Sequence, residues 1–168
     1  MEIKDLDYNR IFNICKEGLE EKDYKNKKVI VIIPDSTRSG PTSFFFKTLI
    51  EILASRTKKI DFLIALGTHP LMSDEKVKDF LDLKGEEKYV NIYQHQWNKP
   101  ENLKTIGIIK KERVKEISSG LMEEDIEIKV NSLIFNYDEI IIYGPVFPHE
   151  VVGFSGGYKY FFPGISGP

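Results

Sequence analysis

The sequence lacks the usual marks of a secreted, membrane-spanning or nucleic-acid-binding protein. It has one cysteine, Cys15, so no internal disulfide can form; its helical spacing reads as a core position. The longest apolar run is about five residues, Val29 to Ile33, where a membrane span needs roughly 20. Glu2, Asp5 and Asp7 stand where the apolar part of a signal peptide would begin, so no leader is read and the cytosol is the expected compartment. Excess charge of one sign is also missing: 24 Lys and Arg against 26 Asp and Glu leave a net charge of −2. No basic stripe suits nucleic acid, and clusters such as Lys25 to Lys28 read as solvated surface. No internal repeat, linker or low-complexity stretch divides the chain.

What is present fits one globular domain. A chain of 168 residues, 41% of them hydrophobic, can bury roughly 70% of its unfolded surface. Tyr8 to Glu21 carries Ile11, Ile14, Cys15 and Leu19 at helical spacing. Lys28 to Ile33 is β-branched on both faces, as in a parallel strand covered on both sides by helices. A helix over Ser43 to Ser55 follows, with Phe46, Leu49, Ile50 and Leu53 inward. Ile60 to Ala65 is a second strand, and Ser73 or Asp74 caps a helix running to about Leu83 with Val77, Phe80 and Leu81 inward. Short strands are predicted over Tyr89 to Tyr93, Leu103 to Ile109 and, half-exposed, Ile126 to Val130. Between the last two, Lys110 to Glu124 has one helical face of Val114, Ile117 and Leu121. Helical turns over Asn131 to Tyr137 lead into a strand at 139–143 that reads as buried. The fold class is α/β, a mainly parallel Rossmann-like sheet with flanking helices.

In such sheets ligands bind beyond the carboxyl ends of the strands. Three polar loops fall there, at 35–41, 67–70 and 148–159, and they should converge on one edge. The first, Pro34-Asp35-Ser36-Thr37-Arg38-Ser39-Gly40, opens a helix and suits an anion, with Arg38 able to grip a carboxylate or phosphate through two parallel hydrogen bonds. Asp35, Ser36 and Thr37 equally suit a plain turn and helix cap. The second loop ends in His69. The third places His149 just past a strand and then Ser155, Gly156, Gly157 and Lys159; a turn alone needs one glycine and no lysine. The remaining histidine, His95, reads as structural or as support for the site.

These segments resemble one family in order and spacing. Pro34-Asp35-Ser36-Thr37-Arg38, Ala65-Leu66-Gly67-Thr68-His69-Pro70, and Pro148-His149 followed by Ser155-Gly156-Gly157-Tyr158-Lys159 and Pro163-Gly164-Ile165 are similar to the N-terminal domain of nickel-dependent lactate racemases. The resemblance runs from about Val29 to the end. It implies an isomerase, a racemase or epimerase of lactate or another 2-hydroxy acid, with His69 and His149 as paired acid/base groups and Arg38 on the substrate carboxylate. It implies a nickel-pincer nucleotide linked to Lys159, seated by Asp35, Thr37, Ser155, Gly156 and Gly157, and partners in the form of cofactor-synthesis enzymes. His95-Gln96 and Asn131-Ser132 depart from the family pattern, which bears on the choice of hydroxy acid. The sequence stops at Gly164-Ile165-Ser166-Gly167-Pro168, before the histidine that binds nickel in the family and before a second, C-terminal domain. The expectation is therefore an N-terminal part of a longer protein, with no metal ligands of its own, no loaded cofactor and no activity alone. Two other readings stand beside it. A non-catalytic nucleotide- or organic-acid-binding module would use the same loops without needing a histidine pair. A hydrolase using His149 and Asp35 would lack a serine or cysteine in a nucleophile elbow.

Overall fold

A computed structural model of the chain describes residues 7–150 and 153–168. Helix α1 (Tyr8–Glu20) starts where the Asp7 side chain accepts a hydrogen bond from the Asn9 N–H. Strand β1 (Lys28–Pro34) and helix α2 (Thr42–Leu53) follow, then strand β2 (Lys59–Ala65) and helix α3 (Asp74–Leu81), capped by Ser73. Strand β3 is short (Ile92–Gln94). Strands β4 (Leu103–Ile109) and β5 (Ile126–Asn131) flank helix α4 (Lys111–Ile117), and a 3-10 turn at Ser132–Asn136 leads to strand β6 (Glu139–Ile142). A small hairpin of β7 (Pro148–His149) and β8 (Gly153–Phe154) precedes a 3-10 turn at Gly157–Tyr160.

The main sheet has four parallel strands in the order β3-β2-β1-β6. β1 and β2 run in register from Lys28 opposite Lys59 to Pro34 opposite Ala65, so Asp35 and Leu66 leave the sheet at the same level. The chain moves from β1 outward to β2 and β3, then returns to place β6 on the other side of β1. That reversal is a topological switch point, the crevice where open α/β sheets take their ligands. The loops after β1 and β6 diverge there.

Alternation along β1 and β2 feeds two cores. Val29, Val31, Ile33, Phe62 and Ile64 pack beneath α1, α2 and α3, where the Phe46 and Phe62 rings lie 4.5 Å apart. Ile30, Ile32 and Leu63 face the other way, onto Val130, Ile134, Tyr160 and Ile165. That second face is covered by the 3-10 turns and the C-terminal segment in place of the helices anticipated for it. A pair of backbone bonds, Asn131 N–H to Ile165 O (2.8 Å) and Gly167 N–H to Lys129 O (3.1 Å), holds the C-terminal segment against β5.

Several boundaries differ from expectation for clear reasons. β3 begins at Ile92, because Asn91 is engaged by Asp61: both its backbone N–H (2.8 Å) and its side-chain amide (3.0 Å) donate to that carboxylate. β6 is an edge strand, half-buried, with Ile140 38% exposed, since nothing pairs with it on its outer side among the described residues. β4 and β5 pair antiparallel with each other, outside the parallel sheet. The helix begun at Lys111 stops near Ile117, where Ser119 and Gly120 take left-handed backbone angles; Val114 is buried, whereas Ile117 and Leu121 face solvent.

Candidate functional site

Beyond the carboxyl ends of β1, β2 and β6 lies a cleft of about 460 Å³, within the range of roughly 300–1,000 Å³ usual for small-molecule and cofactor sites. The three polar loops do converge. Asp35, Thr37, Arg38, His69, His149, Ser155, Gly156 and Lys159 all line the cleft; Gly157 does not. Tyr160, Phe147 and Pro145 line it too and are not singled out by the sequence.

The first loop is built around Asp35, which is 4% exposed. One carboxylate oxygen, Oδ1, accepts from the Thr37 hydroxyl (2.6 Å) and the Thr37 backbone N–H (3.1 Å), an Asx turn that folds the loop back on itself. The other, Oδ2, lies 2.5 Å from His69 Nδ1. Burial alone would raise the Asp35 pKa, but the hydrogen bonds from Thr37 and His69 outweigh it and hold the carboxyl below the ordinary carboxylate range. Asp35 does not cap α2. The helix starts after Pro41 without a side-chain cap, and its first N–H, that of Thr42, donates to Gly40 O at 2.9 Å.

The second loop is tied to the third. Gly67 takes a left-handed φ of 56°, and its N–H donates to Gly164 O at 2.8 Å, while the His69 N–H closes onto Leu66 O at 2.9 Å. His69 thus leaves its strand in a tight turn, its side chain half exposed beside Asp35. The third loop is a hairpin followed by a turn. His149 pairs with Gly153 across β7 and β8, and the Ser155 N–H closes the hairpin onto Phe147 O at 2.8 Å. Gly156 and Gly157 both take positive φ, and the turn after them carries Lys159, half-buried, with its N–H on Gly156 O at 3.0 Å. The stretch at Val151 and Val152 lies outside the described residues.

Tyr160 closes the floor. It is 9% exposed, sits in the core beneath β1, and burial pushes its hydroxyl pKa up to about 12, against the opposing influence of Arg38 nearby. Its only sequence signal is its place next to Lys159. Cations outnumber anions around the opening: Arg38 and Lys159 line it, while the Asp35 carboxylate is turned inward to its own partners. Such a cleft favours a carboxylate or phosphate.

His95 stands apart from the cleft and is 1% exposed. Its Nε2–H donates to Ser166 O (2.9 Å) and its Nδ1 accepts from the Asn131 amide (3.0 Å), which bolts the end of β3 to β5 and the C-terminal segment. Burial holds its pKa below the ordinary imidazole value. His95→Ala is expected to cost about 2–4 kcal/mol in urea unfolding, combining a cavity with two orphaned polar partners. The linkage has a definite sign. With a depressed folded pKa, stability is full above about pH 6.5 and falls as the pH drops towards the folded value, because only the unfolded state gains the proton. His95→Gln, able to accept from Asn131 and donate to Ser166, should flatten that part of the pH profile.

Among the described residues no helix is long and apolar enough to cross a membrane, and no group of three or more His, Cys, Asp or Glu side chains could hold a metal ion.

Comparison with known proteins converges on one family. The profile of the lactate racemase N-terminal domain matches residues 10–168. The curated lactate racemase of Thermoanaerobacterium thermosaccharolyticum is 29% identical over 157 residues, covering 91% of this chain and 33% of that protein. A crystal structure of a protein from Thermotoga maritima superposes with a TM-score of 0.87 at 36% identity, over 99% of this chain and 40% of that one. The lactate racemase apoprotein structure from T. thermosaccharolyticum aligns with a TM-score of 0.70 at 23% identity, over 95% of this chain and 37% of that one, a likeness of fold. The chain spans well under half the length of each.

Proposed function

Because this chain belongs to the lactate racemase N-terminal domain family, we propose that it forms the sheet side of the active site of a longer isomerase, one that interconverts the enantiomers of lactate or another 2-hydroxy acid. The observation that carries the reading is the gathering of His69, His149, Arg38 and Lys159 around one cleft at the switch point of the sheet.

Arg38 holds the substrate carboxylate, its planar guanidinium giving two parallel bonds that fix the orientation of the neighbouring carbon. The two enantiomers present their hydroxyl groups from opposite sides, so each needs its own proton acceptor. His69 and His149 supply one each: the histidine facing the hydroxyl takes its proton, and the other returns a proton from the opposite side. An imidazole suits both directions, since its ordinary pKa of ~6.5 makes donor and acceptor forms accessible near neutrality.

The carbon-bound hydrogen is beyond the reach of these bases, so the reading requires a further group, and the chain's donor set supports a tethered one. No described cluster can ligate a metal, whereas a half-buried primary amine suits a tethered organic group. Lys159 would hold a nickel-pincer nucleotide through a thioamide, with the loop ahead of α2, Ser155 and Gly156 seating it, while Gly157, off the cleft, would only shape the turn. When bound, the group supplies an acceptor for that hydrogen as hydride. The cofactor-synthesis enzymes and the remainder of the longer protein are the partners this requires.

The test uses the full-length protein, produced with the cofactor-synthesis enzymes, assayed for racemisation of L-lactate and a panel of other 2-hydroxy acids. His69→Gln and His149→Gln are each expected to lower kcat about 10²–10⁴-fold, the usual contribution of a positioned acid/base group. Turnover unchanged by both substitutions would remove the two histidines from the chemistry and overturn this reading. A wild-type protein that binds 2-hydroxy acids without racemising any would leave the cleft as a binding site.

A further inference from the structure

The Asp35–His69 contact settles a question that the pairing of two histidines leaves open: which ring nitrogen does the work. Asp35 Oδ1 receives two donors, the Thr37 hydroxyl and the Thr37 N–H, so no proton resides on that oxygen. An aspartate carboxyl, ordinarily ionised at neutral pH and held more acidic here by these donors, carries no proton on Oδ2 either, so Oδ2, 2.5 Å from His69 Nδ1, can only accept. Nδ1 must carry a hydrogen whether the ring is neutral or charged. We propose that Asp35 is a positioning residue that locks neutral His69 in the Nδ1–H tautomer, leaving the Nε2 lone pair as the base, with Thr37 fixing the carboxylate that does so.

The depressed pKa of Asp35 agrees with a carboxylate kept ionised beside the ring. The other titratable groups lining the same cleft are Arg38, His149, Lys159 and Tyr160, and Asp35 is the group set directly against Nδ1. The assignment of substrate as the source of the Nε2 proton rests on the racemase reading above. The tautomer does not.

Asp35→Asn separates the two. The Thr37 N–H still needs an acceptor, so the amide oxygen takes the Oδ1 position and the amide NH₂ turns to His69 Nδ1. That nitrogen must now accept, which drives the ring proton to Nε2 and removes the base. The experiment is a long-range ¹H–¹⁵N correlation spectrum of the ¹⁵N-histidine-labelled chain above its imidazole titration, with His69 signals identified by their loss in His69→Gln. Wild type is expected to show Nδ1 protonated and Nε2 bare, and Asp35→Asn the reverse. Should Asp35→Asn not fold, Thr37→Val, which loses the hydroxyl donor, is expected to give a mixture of tautomers, and Thr37→Ser to keep the Nδ1–H form. In the loaded full-length enzyme, Asp35→Asn should lower kcat by about 10²-fold or more, the contribution of a general base, with KM essentially unmoved. An Nε2–H ring in wild type, or a tautomer indifferent to Asp35→Asn, overturns the proposal. An Nδ1–H ring in an enzyme inert towards every 2-hydroxy acid would discard the racemase reading and keep the Asp35–His69 pair.

Discussion

Lys159→Arg in the full-length protein is expected to abolish racemisation as completely as Lys159→Ala, while circular dichroism and the urea midpoint stay near wild type. Lys159 is half-buried on the wall of the cleft, and its side chain makes no ion pair among those described, so the fold does not depend on its amine. A guanidinium keeps the positive charge but lacks the primary amine that a thioamide requires. The arginine variant therefore separates attachment from electrostatics. If Lys159 served only to attract an anion, Lys159→Arg would retain much of the activity and only Lys159→Ala would lose it. The comparison is read by rate and by mass together, since the arginine protein should also stay free of any covalent addition.

Gly156→Ala is expected to damage the site through the backbone, at about 3–5 kcal/mol of stability and with loss of function. Gly156 has φ 87° and ψ −166°, a conformation open in practice to glycine alone, which costs another residue about 1–3 kcal/mol. A Cβ built there would lie 2.3 Å from the Pro145 carbonyl oxygen and 2.9 Å from a Val146 methyl. Pro145 belongs to the segment that carries β6 into the His149 hairpin, so relief of that contact moves His149 and the Lys159 turn apart. The requirement for glycine at this position comes from chain against chain and not from a ligand. Gly157 behaves differently. Its φ of 54° is left-handed but a Cβ there meets nothing within 4 Å, so Gly157→Asn should be tolerated far better than Gly156→Ala. Equal loss of urea stability in the two variants would contradict this reading of the turn.

How far the molecule can be read from its residues depends on distance along the chain. β1 and β2 announce themselves because five successive apolar side chains in β1, and a similar run in β2, must be covered on both faces. The helices between them are legible by their 3.6-residue spacing. The three loops then have to lie at one edge, since strands paired in parallel end on the same side. Features set by edges and by long-range pairing are not legible. A run of isoleucines such as Ile140 to Ile142 suits a central strand and an edge strand alike, so the segment from Glu139 reads as buried although β6 borders the sheet. Ile117 and Leu121 continue a helical spacing that the left-handed backbone at Ser119 and Gly120 interrupts. Asp35 and His69 are 34 residues apart and meet because Pro34 and Ala65 are register partners, a fact no local pattern carries. Tyr160 draws no notice beside Lys159, yet its ring joins the second core to the floor of the cleft.

The most direct measurement of the central claim is the intact mass of the full-length protein made alongside the cofactor-synthesis enzymes, with peptide mapping across Gly153 to Gly164. A single covalent addition is expected, located on Lys159 and absent when those enzymes are omitted. A protein that racemises a 2-hydroxy acid with Lys159 unmodified, or with the addition on another residue, would contradict the claim.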